Sequence, residues 1–154
     1  METVQNKSKV MDYLKKESLG ILGTQENETN IIRQRVMYYG IDDDYNCYLM
    51  STKGSPKIEH VQYSSKVSFI IFTIEEPYDE SWEIEIDGAA ELLKNKKDID
   101  LALERLKGRN PFADVAIESG IIGQFDFVKL IPEIVRFRVY GEALNGNPPS
   151  IMKF

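Results

Sequence analysis

Between Ile31 and Val61 the chain reads IIRQRVMYYGIDDDYNCYLMSTKGSPKIEHV: a strand, a polar turn, a second strand and a short helix in succession. Ile31 to Tyr39 is rich in β-branched and aromatic residues, and strand periodicity puts Arg33 and Arg35 on one face. Gly40 and Asp42 to Asp44 interrupt it with turn residues, and Tyr45 to Ser51 resumes as strand. So short a polar connection predicts that the two strands pair as an antiparallel hairpin. Beyond them Ser55 stands at a helix N-cap, Pro56 at the first helical position and Lys57 in the first turn.

The chemistry concentrates where the second strand meets that helix. A helix N-terminus presents unpaired N–H groups and a partial positive charge, an arrangement that suits phosphate. The hydroxyls of Ser51, Thr52 and Ser55 and the cations Lys53 and Lys57 add charge-assisted donors at the same point. Arg35, on the preceding strand, adds a planar guanidinium able to bind an oxyanion bidentately. The ordinary alternative is a solvated basic turn with a commonplace cap.

In order and spacing this run resembles the FMN-binding split barrels related to pyridoxamine 5′-phosphate oxidase. That family carries an R-x-V-φ-φ strand and, after a hairpin, a strand ending in T-N-x-x-S-x-K. Arg35, Val36, Met37 and Tyr38 match the first element, and Ser51, Ser55 and Lys57 the second. The likeness extends over most of the chain, through a leading helix, Ser65 to Phe69, the strand ending Gly88-Ala89-Ala90-Glu91, and Leu130-Ile131-Pro132-Glu133. It implies a mainly β fold, a six-stranded antiparallel split β-barrel with flanking helices. It also implies an FMN-binding oxidoreductase-like homodimer, with flavin at the subunit interface and a small-molecule substrate or electron donor. On this resemblance Arg35, Ser51, Thr52, Ser55 and Lys57 hold the phosphate, and the backbone of Val36, Met37 and Tyr38 lines the isoalloxazine. Glu83 falls where the family often has a polar group reaching the flavin. No side chain is implied as an obligatory acid or base.

The departures are specific. Gly40 stands where the oxidases carry a lysine, their R-L-H-D-R-type substrate run has no counterpart in Arg136 to Phe154, and Pro56 replaces a frequent arginine. Activity on pyridoxamine phosphate is therefore not expected, and the phosphate grip is expected to be weaker. Two other roles fit the same barrel: a non-catalytic store, sensor or carrier for flavin, haem or the deazaflavin F420, and a structural homodimer with a vestigial site.

Composition agrees with one soluble domain over residues 1–154, being 42% hydrophobic and 29% charged. A formal net charge of −6 argues against a nucleic-acid partner, for which a basic face would dominate. The single cysteine, Cys47, excludes an internal disulfide and a cysteine-based zinc cluster. With no apolar signal core and no apolar run of membrane-spanning length, the expectation is a cytoplasmic protein without a membrane partner.

In chain order, Val4 to Glu17 predicts an amphipathic helix capped by Ser8, and Ser18 to Gln25 a short strand whose glycines allow close backbone approach. Lys66 to Ile74 is apolar almost throughout and predicts a strand buried on both faces. Trp82 to Leu92 alternates as a half-exposed strand, with Gly88 at a bulge or bend. Lys97 to Lys107 and Ala113 to Ser119 predict helices, and Phe125 to Tyr140 one bent strand or two consecutive ones broken at Pro132. Gly141 to Phe154, with its paired prolines, predicts an irregular tail.

Other constellations have plain readings. Asp42, Asp44 and Asn46 share the opening spacing of an EF-hand, but Cys47 and Lys53 occupy its glycine and closing glutamate positions, so a hairpin turn and no metal is expected. His60 is the only histidine and suggests a structural or surface role. Glu83 and Glu85 share a strand face and invite an acid/base pairing, although such carboxylates are usually solvated. Tyr38, Tyr39, Tyr48 and Trp82 can stack on a flat ring but are more often core residues on strands.

Overall fold

The computed structural model describes residues 4–154, with side chains from residue 6 onward. Helix α1 (Val4–Lys16) precedes strands β1 (Leu19–Gln25), β2 (Ile32–Tyr38), β3 (Gly40–Ile41) and β4 (Cys47–Thr52). Helix α2 (Pro56–Tyr63) leads into β5 (Lys66–Thr73) and β6 (Trp82–Leu93), followed by α3 (Lys96–Leu106) and α4 (Pro111–Ser119). The chain continues through β7 (Phe125–Val139), α5 (Tyr140–Leu144) and β8 (Ser150–Lys153).

All strand pairs are antiparallel, in the order β2-β1-β5-β6-β7-β4-β3, with β8 against the second half of β7. The long strands β1, β2 and β4 to β7 curl into a half-barrel with helices at its flanks, the architecture that the resemblance implies. Alternation sorts their side chains. Leu22, Met37, Leu49, Phe69, Ile71, Ile84, Ile86 and Val135 fill the inner face, and α1 adds Val10 and Leu14. Trp82 is buried under the ring of Tyr13, stacked at 4.2 Å.

Two glycines show why the sheet closes tightly. A Cβ on Gly20 would sit 1.7 Å from the Phe69 ring, and one on Gly88 would sit 2.1 Å from the Ile131 carbonyl. Gly88 also marks the register shift between β6 and β7, the expected bulge. Arg109, in the loop after α3, donates to the Leu14, Lys15, Glu17 and Tyr39 carbonyls and so ties the end of α1 to the barrel.

Several expectations require correction. Strand β2 pairs along its whole length with β1, not with β4; the turn at Asp42 to Asn46 closes only the short β3–β4 hairpin. The edge of β1 offers β2 a ladder along its full length, which outweighs the local turn. Strand β5 is buried on one face only, with Phe72 exposed and Ile70 half-exposed. Ser8 lies inside α1 and does not cap it. Phe125 to Val139 is one continuous strand, in which Pro132 sits opposite Gly88 at the bulge, where a missing N–H is tolerated. The tail is ordered as α5 and β8 because β7 offers it a free edge.

Candidate functional site

Strand β4 ends at the barrel mouth in Ser51 and Thr52, the chain turns through Lys53 and Gly54, and α2 begins at Pro56. Ser55 occupies the N-cap position with extended backbone, but its side chain makes no cap hydrogen bond. Its hydroxyl instead lies 2.7 Å from Ser51 Oγ, which also accepts from Lys57 Nζ at 3.0 Å. Ser51 is buried and Lys57 half-buried, so three residues of the motif converge from two elements.

Arg35 approaches from β2. It shares the inner face with Leu22, its register partner on β1, and is half-buried. Burial holds Arg35 below the usual arginine range, and Lys57 is lowered first by its own burial and then by the positive charge of Arg35. Among the described residues no carboxylate lies within ion-pair distance of either cation. A pair of hydroxyls with Lys57 donating to one of them, and Arg35 close enough to act on the Lys57 charge, is the candidate oxyanion seat. A small void of about 10 Å³ beneath it is lined by Met37, Met50, Ile58 and Val61, which shield the seat from the barrel side.

The remaining predicted residues are distributed differently. Thr52 is exposed at the strand end. Met37 is buried inward, whereas Val36 projects outward with 65% exposure and Tyr38 stands half-exposed on the same outer side, its ring 6.2 Å from that of Phe112. Glu83 is not brought to the seat within one chain: it lies on the outer face of β6, ion-paired to Arg138 and 3.4 Å from the Tyr140 hydroxyl. Glu83 and Glu85 do not form a couple, because Arg138 and Arg136 on β7 stand opposite them and take each in turn. Tyr39, Tyr48 and Trp82 are core residues, and burial pushes the Cys47 thiol up to about 12, which makes it inert. The Asp42 turn is held by its own carboxylate, which accepts from the Asp44 and Asn46 backbone N–H groups. No metal-binding cluster is found among the described residues.

Two residues at the mouth are absent from the motif. Thr24 of β1 accepts from Arg35 Nη1 at 2.6 Å, and His60 of α2 places Nδ1 2.9 Å from the same hydroxyl. Only the two polar side chains' adjacency in space marks them, since 36 residues separate them in sequence.

No protein-family model matches the sequence, and no curated protein is significantly similar to it. Solved structures do match in shape. A protein of the pyridoxinephosphate oxidase family from Clostridium acetobutylicum, related to a general stress protein, superposes with a TM-score of 0.73 at 9% identity, covering 99% of this chain and 97% of that one. The fold is that of the pyridoxamine 5′-phosphate oxidase-related split barrels. A FAD-binding protein from Mesorhizobium loti matches this split barrel with a TM-score of 0.68 at 18% identity, over 88% of this chain and 94% of its own. A heme binding protein from Mycobacterium smegmatis matches with a TM-score of 0.74 at 15% identity, over 99% of this chain but 60% of its own. No helix among the described residues is long and apolar enough to cross a membrane.

Proposed function

We propose that this split barrel is a homodimeric FMN-binding redox protein acting on a small-molecule substrate. The observation that carries the reading is the oxyanion seat, in which half-buried Arg35 and Lys57 share one Coulombic neighbourhood with the Ser51 and Ser55 hydroxyls and no acidic partner. A flavin phosphate supplies the missing negative charge, and the donor set fits it. Flavin, when bound, supplies the electron-transfer chemistry; the chain supplies position, charge and exclusion of water. Lys57 and Arg35 anchor the phosphate end, and the β2 backbone from Val36 to Tyr38 offers the edge along which a planar ring is oriented.

The dimer rests on the outer face. Val36, Ile21 and Ile70 form one cross-strand row there, flanked by Ile32 at 59% and Phe72 at 46% exposure, an apolar surface that a second copy would cover. Glu83 lies on this side of the sheet, so in the proposed dimer it reaches the partner's flavin more readily than its own. The alternative of haem is favoured by one structural neighbour, yet the only histidine is buried and hydrogen-bonded to Thr24. At 6% exposure that imidazole is not open to a haem iron.

The visible spectrum of the purified protein, followed by FMN titration, tests the reading. Flavin bands released on denaturation, or saturable uptake of added FMN, agree with it. A colourless protein that ignores FMN rejects it, and haem and F420 are titrated next. Reduction of bound FMN by NAD(P)H at a useful rate separates a redox enzyme from a flavin store or sensor.

A further inference from the structure

Thr24 and His60 are among the few polar side chains this protein buries, at 1% and 6% exposure, and both stand beside Arg35. Thr24 is opposite Arg33 and Leu22 is opposite Arg35 in the β1–β2 register, so Thr24 is the diagonal inner-face neighbour of Arg35. A guanidinium only donates, so the Thr24 hydroxyl accepts from Arg35; its proton and its second lone pair let it either donate to or accept from His60 Nδ1, according to the tautomer. A chain of donation from Arg35 through Thr24 to His60 has Nδ1 as acceptor and the ring proton on Nε2.

We propose that Thr24 and His60 are positioning residues that hold the Arg35 guanidinium ready for a phosphate, and thereby set a preference for FMN over riboflavin. Among the described residues no carboxylate pairs with Arg35, and its contacts to Thr24 and, at 3.5 Å, to the Leu22 carbonyl both use Nη1. Nη2 and Nε remain for a bidentate grip on the ligand. Ordering the side chain before the ligand arrives removes that entropy loss from the binding step. The choice of ligand rests on the flavin reading; the order of Arg35 does not.

The test uses the full chain as wild type, Thr24→Val and Thr24→Ser. In ¹⁵N NMR of the ligand-free wild type, His60 is expected to carry its proton on Nε2 with Nδ1 accepting, and Arg35 to show slowed guanidinium rotation. Thr24→Val is expected to lose both signatures and to weaken FMN binding about tenfold with riboflavin affinity unchanged; Thr24→Ser restores all three. Unchanged spectra in Thr24→Val, or equal losses for FMN and riboflavin, overturn the positioning role. A wild-type His60 with its proton on Nδ1 overturns it without any variant, should Thr24→Val fail to fold. A wild type that shows both signatures yet ignores FMN overturns the flavin reading and its stated preference, while the spectra uphold the ordering of Arg35.

Discussion

On the outer face of β6 and β7, Arg136 bonds both Glu85 and Asp87, and Arg138 bonds Glu83; at the barrel mouth, Arg35 and Lys57 stand near each other and near no carboxylate. The hydrogen bond to Asp87 raises Arg136 above the usual arginine range, whereas burial lowers Arg35. The same side-chain types thus sit in opposite electrostatic balance. Charges on the outer ladder already have partners, and their work is cross-strand registry. Charges at the mouth are partly desolvated, and in the proposed function an incoming anion supplies their partner.

Reversing one charge at the mouth is expected to have the largest effect. Lys57→Glu should weaken FMN binding by about 3 kcal/mol or more, since it puts a carboxylate where the phosphate sits. The same change gives Arg35 a partner, so the ligand-free variant should melt no lower than wild type. Calorimetric titration and a thermal melt check the two halves, and full FMN affinity in the variant would move the phosphate elsewhere. Next comes Arg35→Ala, expected to cost about 1.5–3 kcal/mol of FMN affinity, as for one charge-assisted hydrogen bond; unchanged affinity in a folded variant sinks the clamp.

A smaller effect is expected with pH. Lys57 is lowered from the ordinary lysine value of 10.5, so the folded, ligand-free protein holds this proton less tightly than the unfolded chain. Its stability contribution therefore rises as pH climbs through the folded-state value towards 10.5, while the charge that grips phosphate is lost over the same window. FMN affinity should fall there by about 1 kcal/mol, and Lys57→Arg should abolish the fall because arginine keeps its proton. A pH-independent affinity in wild type would place Lys57 away from the phosphate. Least of all, Arg136→Ala on the exposed ladder should change the denaturation free energy by about 0.5 kcal/mol and leave FMN binding untouched. A large loss of FMN affinity there would erase the contrast between the two regions.

Much of this was readable from the chain. The pattern of Arg35 on a strand, Ser51 at a strand end and Ser55-Pro56-Lys57 opening a helix is local, and local geometry carried it into the structure. Helix α4 likewise starts at Pro111 behind the Asn110 side chain, which accepts from the Phe112 and Ala113 N–H groups. The pairing of β2 is not legible in the turn, because a turn signal reports only on its immediate flanks, here β3 and β4, while the partner of β2 is β1. The exposure of one face of β5 is not legible either, because Ile70 and Phe72 are as apolar as Ile71, and composition cannot say which face a neighbour covers.

By itself, then, the sequence determined the long strands, the start of α2 at Pro56 and the cationic motif, because each depends on residues within a few positions of one another. Tertiary structure alone decided that Arg35 and Lys57 would meet without a counter-ion, that Glu83 would face away from them, and that Thr24 and His60 would come to lie beside the guanidinium. Those outcomes depend on strand order and on the docking of α2 over β1, which join residues distant in the chain through hydrogen bonds and burial that no local pattern encodes.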